Sequence, residues 1–353
     1  MKSITKSIME SPTQNPTIRS IGEQGLLKIF QQYCSEVVGD DAAPMGATLP
    51  EHQMVVTTDM LIDGVHFSDR TTSAADVGWR AAAVNLSDLA AMGAKPWGLV
   101  MSVGLPPDTE IAWIEGVYQG LAECLRTYGT ELVGGDTVRS PIRTFSVTAF
   151  GQVPKNQLIQ RHTARVGDAI VVTGLHGLSK AGLELLFQPE IGKKLLSPLK
   201  IGDRLLADEE LIQAIHRYHQ RPVPRFDAIA ILHKILKENN HLGEMLISGM
   251  DSSDGLADAI AQICRCSHVG AKIYWRSLPI PRAVMTLAGE QALDWVLYGG
   301  EDFELVLCMP FDIAEQFVWQ LSSAAIIGKI VEGNQIDGIS DKSEERSDFQ
   351  HFS

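Results

Sequence analysis

The chain has 353 residues, 45% of them hydrophobic and 21% charged, the composition of a soluble globular protein long enough for two cores. Its net charge of −13 argues against nucleic acid as the main partner, since phosphate backbones are held by clustered Lys and Arg. No apolar run approaches a membrane span, no apolar leader opens the chain, and the five scattered cysteines lack CxxC spacing, so a cytoplasmic protein with reduced thiols is expected.

Residues 1–20 read as a flexible tail rich in Ser, Thr and Pro, followed by an amphipathic helix from Gln24 to Tyr33. The run Gln53–Asp59 is β-rich and ends in a carboxylate. Ser73 is the N-cap of a long Ala-rich helix reaching about Met92, and a second helix spans about Glu110–Tyr128. A short strand then enters Gly134-Gly135-Asp136, and Thr144–Val153 alternates as a strand. These elements form an expected N-terminal domain over 21–153. The polar, basic stretch from Pro154 to Gly167 opens a C-terminal domain over 154–333. Within it, Asp168–Gly174 is a buried-type strand and turn, with a helix from about Ser179. Gln188–Arg225 is an insertion or an irregular connection. Strand, turn and helix recur at Met245–Cys264, and a final strand follows Gly299-Gly300-Glu301-Asp302. Residues 334–353 form a polar tail carrying Phe349 and Phe352. No repeat of fixed period is present.

Five acidic segments carry the chemistry: Gly39-Asp40-Asp41-Ala42-Ala43, Thr57-Thr58-Asp59, Asn85-Leu86-Ser87-Asp88, Gly134-Gly135-Asp136 and Asp251-Ser252-Ser253-Asp254-Gly255. A single Asp beside Gly is ordinarily a turn. Five of them change the balance, because gathered carboxylates repel one another unless cations intervene. Asp88 follows Val77, Ala81 and Val84 on the apolar face of the Ala-rich helix, so it either pairs with an Arg, caps a neighbour or ligates a metal. Oxygen donors without a His or Cys cluster favour magnesium over zinc, and so much negative charge favours several ions bridging a polyphosphate. No GxxxxGK[ST] pattern and no protein-kinase motif set occurs, so phosphates would be held mainly through metals. The Gly174-x-x-Gly177 turn is either an anion cradle or ordinary turn chemistry.

In order, Gly39–Ala43, Thr57–Phe67, Ala83–Ala94, Gly134–Thr137, Arg221–Arg225, Asp251–Leu256 and Gly299–Leu305 resemble the motifs of a superfamily of ATP-dependent α/β enzymes. That superfamily includes aminoimidazole ribonucleotide synthetase, selenophosphate synthetase and a hydrogenase maturation factor. Within it the chain is similar to the thiamine-monophosphate kinases, from about residue 20 to 330. The resemblance implies a two-domain α/β fold of the aminoimidazole ribonucleotide synthetase type (α+β in its helix and strand order), dimerising through its N-terminal domains to a homodimer. It implies ATP and several magnesium ions as co-substrate and cofactors, and thiamine phosphate as acceptor. Carried over by position, Asp41, Thr57, Thr58, Asp59, Asp88, Asp136, Asp251 and Asp254 are the implied magnesium ligands. Gly135, Asp136, Arg161, Ser253 and Tyr118 are the implied ATP contacts, and His66, Glu301 and Phe349 the implied thiamine-phosphate contacts. Ser252 stands where the family usually carries Ile.

A phosphate acceptor is already anionic, so no residue is assigned as general base. His66 is read either as a contact for the incoming phosphate or as a structural histidine. Two other readings are a superfamily member with a different acceptor and a non-catalytic nucleotide-binding protein. A selenophosphate synthetase would want a reactive Cys near the N-terminal Gly-rich segment, and Cys34 lies in a helical stretch.

Overall fold

The computed structural model describes residues 15–36, 46–195, 199–201, 204–206, 208–239 and 247–338. Its first half contains α1 (Ile18–Phe30), β1 (His52–Ile62), α2 (Ala74–Ala91), β2 (Lys95–Leu105), α3 (Ile111–Thr127), β3 (Leu132–Arg139) and β4 (Thr144–Pro154). The four strands form one sheet in the order β1-β4-β2-β3, antiparallel except for the β2–β3 pair. Burial along β4 alternates strictly, as it must when helices cover only one face. Leu61, Leu99, Met101, Phe145 and Val147 point to that covered face and pack on α2 and α3.

α2 starts where the sequence places it, with Ser73 Oγ accepting the Asp76 amide at 3.3 Å. It is buried on nearly every side, since it lies between this sheet and the second domain. Gly78 and Gly120 let α2 and α3 approach closely: a methyl at Gly78 would overlap the Val117 carbonyl, and one at Gly120 the Ala75 carbonyl.

The second half contains β5 (Ala169–Val172), α4 (Leu178–Phe187), β6 (Leu199–Ile201), β7 (Arg204–Leu206), α5 (Asp208–Gln220), α6 (Phe226–Glu238), β8 (Ser248–Asp251) and α7 (Leu256–Ser267). It continues with β9 (Gly270–Ile273), α8 (Arg282–Ala288), α9 (Ala292–Tyr298), β10 (Leu305–Met309), α10 (Phe311–Gln320), β11 (Ala325–Val331) and β12 (Ile336–Asp337). A six-stranded sheet runs β12-β9-β11-β5-β10-β8, with β6 and β7 forming a separate hairpin. Helices cover both of its faces. Ile170, Val172, Val306 and Cys308 pack towards α4, α7, α8 and α9, while Val171, Leu305, Leu307 and Met309 pack towards α6 and α10. Ala90 and Ala91, at the end of α2, join that last core, so α2 ties the two halves together.

Four expectations need correction. The N-terminal tail ends earlier than residue 20: α1 begins at Ile18, because the Ile18 and Arg19 amides donate to the Thr109 and Pro107 carbonyls. Gly22, at φ 66°, kinks the helix just before the expected start at Gln24. Of the two readings of segment 188–225, an irregular connection does not hold, since the segment contains α5, which buries Leu211, Ile215 and His219 at successive i, i+4 positions. The strand after Gly299-Gly300 is not the last, since β11 and β12 follow it, and β12 lies within the residues assigned to the C-terminal tail.

Candidate active site

The acidic segments of β1, α2 and β8 meet where the two halves join. The Thr57 hydroxyl donates to Asp88 Oδ2 at 2.5 Å, and the Asp59 amide donates to Asn85 Oδ1 at 3.1 Å, which fixes the β1 edge against α2. From the other half, Asp251 at the end of β8 accepts from Ser87 Oγ at 2.6 Å and from Ser253 Oγ at 3.1 Å. Asp251 is 2% exposed. Burial and the neighbouring carboxylates push both Asp88 and Asp251 up to about 6, held back by their hydroxyl donors and, for Asp88, by Arg161. Asp59 is raised as well, by burial and then by Asp251 and Asp254. A cavity of about 190 Å³ opens beside them, with Val55, Met92 and Met250 on its apolar wall and Asp88, Arg161 and Asp251 on its charged wall.

Buried carboxylates that raise one another's pKa are an unbalanced negative charge, and all the donors are oxygen. That set fits a hard cation. Among the described residues no three carboxylate, imidazole or thiol groups form a ready cage for an ion.

The remaining acidic residues are distributed differently from the expectation. Thr57-Thr58-Asp59 lies inside β1 rather than at its end, so alternate residues face opposite ways. Thr57 and Asp59 face α2, whereas Thr58 faces the uncovered side, donating to the Val147 carbonyl and accepting from Thr148 Oγ. Gly134-Gly135-Asp136 is likewise not a turn but part of β3. Gly135 pairs with Met101 there, and a methyl on it would overlap the Met101 carbonyl. Asp136 is in register with Ser102, Ser146 and Met60, which puts it on the same uncovered face as Thr58, at the opposite edge of the sheet. Three strand spacings, about 14 Å, and the sheet itself separate it from Asp59 within one chain. Asp254 and Arg161 are exposed at the mouth of the site, with Arg161 donating to Gln262 at 2.8 Å. Tyr118 is 3% exposed and stacked on Phe30 at 4.0 Å, in the core of the first domain. Asp41 and Phe349 lie outside the described residues.

Of the residues expected to meet the acceptor, His66 accepts the Ile62 amide at Nδ1, 3.1 Å away. Glu301 sits at φ 58°, its amide donating to the Ser253 carbonyl at 2.6 Å, so the Gly-Gly-Glu-Asp turn is clamped to the acidic turn after β8. Burial would raise Glu301, but Arg80 outweighs it and holds the carboxyl below its usual range. Its charge is therefore already matched by Arg80, which bears on the expectation that it faces a cationic ring. Asp302 accepts from the Gly177 and Ser179 amides at 2.6 and 2.9 Å, so the N-terminal end of α4 is filled by the chain's own carboxylate instead of cradling a ligand. Sequence reasoning missed Arg80, Asn85, Ser87 and Asp302 as functional neighbours. The signal available was that Arg80 is the one charged residue between Asp76 and Asp88.

A domain that presents such carboxylates between a half-covered four-stranded sheet and a second α/β layer defines the AIR synthase-related class. The family model "AIR synthase related protein, N-terminal domain" matches residues 39–153. The chain is 44% identical over 343 residues to the thiamine-monophosphate kinase of Synechococcus elongatus, covering 95% of this chain and 98% of that one. The crystal structure of the thiamine-monophosphate kinase from Stenotrophomonas maltophilia superposes with a TM-score of 0.72 at 32% identity, over 89% of this chain and 95% of that one. AaThiL, solved as a complex with AMPPCP and TMP, matches with a TM-score of 0.68 at 30% identity, over 93% and 97%. The chain belongs to the thiamine-monophosphate kinase family.

Proposed function

We propose that this chain transfers the terminal phosphoryl group of ATP to the phosphate of thiamine phosphate, giving thiamine diphosphate and ADP. The observation that carries this reading is the convergence of Thr57, Asp88 and Asp251 from two domains on one cavity, with the Asp59 carboxylate close enough to feel Asp251, in a chain matched almost end to end by thiamine-monophosphate kinases. That AaThiL, a relative of 30% identity, was solved as a complex with AMPPCP and TMP supports this reading.

Thr57, Asp59, Asp88 and Asp251 are the residues of one chain that would hold magnesium, with Asp254 at the mouth. Magnesium, when bound, offsets the charge of the phosphates and of these carboxylates. An ionised phosphate oxygen of thiamine phosphate attacks the γ-phosphorus in line, and ADP departs with the electrons of the broken P–O bond. No side chain has to remove a proton from this nucleophile. Arg161 and Ser253, at the mouth, contact the nucleotide phosphates. His66 and Glu301 border the acceptor.

A homodimer is part of this reading. Met54, Val56, Met60 and Val138, each at least half exposed, share the uncovered face of the first sheet with Thr58 and Asp136. An apolar stripe of this kind calls for a partner surface. Asp136 would reach the carboxylate cavity only from a second copy, because its own sheet stands between.

Purified protein with ATP, magnesium and thiamine phosphate should form thiamine diphosphate, followed by chromatography. Free thiamine should be a very poor acceptor, since nothing is assigned to deprotonate its hydroxyl. Absence of thiamine diphosphate, or efficient use of free thiamine, would contradict the reading.

A further inference from the structure

The Arg80 side chain is only 1% exposed, although it is a cation on a helix buried on nearly every side. Its Nη1 donates to the His219 carbonyl of α5, and its Nη2 pairs with Glu301 Oε1. Nε has no partner among the described residues, so the guanidinium is spent only on the second domain. The other Glu301 oxygen lies 3.5 Å from His219 Nδ1, and burial together with Arg80 pushes that imidazole down to about 3, keeping it neutral. Glu301 is thus gripped from behind by Arg80 of α2, with the neutral His219 ring of α5 beside it. The grip is needed, because Glu301 stands in left-handed backbone between Gly300 and Asp302, a conformation that a non-glycine residue keeps only when its surroundings enforce it. One-fifth of the side chain remains open to solvent.

We propose that Arg80 is a positioning residue for the phosphate acceptor: it orients the Glu301 carboxylate in the acceptor site and makes that orientation depend on the docking of α2 against α5. The inference rests on the reading that Glu301 contacts thiamine phosphate. Arg80 lies two helical turns before Asp88 on α2, so one rigid helix sets both the carboxylate of the nucleotide cavity and the carboxylate of the acceptor site. A displacement of α2 moves both together, which keeps the distance between the two reacting phosphates constant.

The test is steady-state kinetics on the full chain, with thiamine phosphate and ATP each varied, for the parent, R80K, R80M, E301Q and the double variant R80M/E301Q. R80M should raise KM for thiamine phosphate about tenfold or more, with KM for ATP within about twofold of the parent. R80K should recover part of that loss, because it restores the charge but not the two-pronged grip. E301Q should reproduce the R80M effect, and the double variant should be no worse than either single one. A lone buried carboxylate could keep R80M from folding, which a thermal melt would show. R80K and R80M/E301Q then carry the comparison, since the double variant removes both charges. R80K with the parent's KM for thiamine phosphate, equal losses in both KM values, or additive effects in the double variant would overturn the proposal. A parent protein that makes no thiamine diphosphate would instead overturn the functional reading, so the two failures are separable.

Discussion

β1 exposes Met54, Val56 and Met60 at 50–59%, whereas every residue of β10 is buried, although both strands are rich in apolar side chains. β10 is an interior strand, between β5 and β8, in a sheet covered by helices on both faces. β1 is an edge strand of a sheet covered on one. The contrast shows that apolar content alone does not define a core: the second domain can satisfy its sheet within one chain, and the first cannot. The uncovered face also holds Thr58 and Asp136, two residues of the acidic segments that the covered face leaves out. In the proposed dimer, folding and assembly would be divided between the two sheets, with the cavity at their junction.

The largest effect expected is on the junction itself. Asp88→Asn and Asp59→Asn should each lower turnover by about 100-fold or more, each removing a charge from a site that depends on cations. Melts with magnesium and ATP should show stabilisation in the parent and little in either variant. Wild-type turnover in either would remove these residues from the site.

The open face comes next. Val56→Asp with Met60→Asp should leave the chain folded, because exposed positions change stability by about 0.5 kcal/mol or less. The same pair should abolish the dimer and much of the activity. Light scattering should give about twice the 38.5 kDa chain mass for the parent and that mass itself for the variant. A fully active parent of single-chain mass would end the argument that Asp136 acts from a second copy.

The closed sheet should respond in the opposite sense. Leu307 is fully buried, and Leu307→Ala should cost about 2–5 kcal/mol, read as a fall in the urea midpoint, with no change in oligomeric state. A change in assembly without loss of stability would erase the contrast between the sheets.

The smallest effect is a pH dependence of the ligand-free protein. Asp88 and Asp251 titrate at about 6 when folded, above the value of about 3.9 for an unfolded Asp. Their protonation favours the fold fully below the unfolded value, and that contribution disappears as pH rises through 6. With a chelator and no nucleotide, the parent should therefore gain a few degrees in Tm between pH 7 and pH 5, relative to an Asp88→Asn, Asp251→Asn variant. Identical slopes in the two proteins would show that these carboxylates are not strained by one another.

What the sequence determined by itself is local or strongly patterned. The Ser73 cap and its helix, the Glu110–Tyr128 helix, the alternating Thr144–Val153 strand and the buried Asp168–Val172 strand all follow from 3.6- and 2-residue periods and from cap chemistry. The motif strings were specific enough to indicate the family. Tertiary structure alone decided which acidic residues share a cavity. Ser87 and Asp251 are 164 positions apart, and Thr57 and Asp88 are 31 apart, so no local period could pair them. It also separated Thr58 from its neighbours through the pleat, sent Tyr118 into the core, gave the α4 terminus to Asp302 and set Arg80 behind Glu301. Each of these depends on which surfaces two domains present to each other. A buried charge keeps its place only where a partner distant in sequence arrives to meet it.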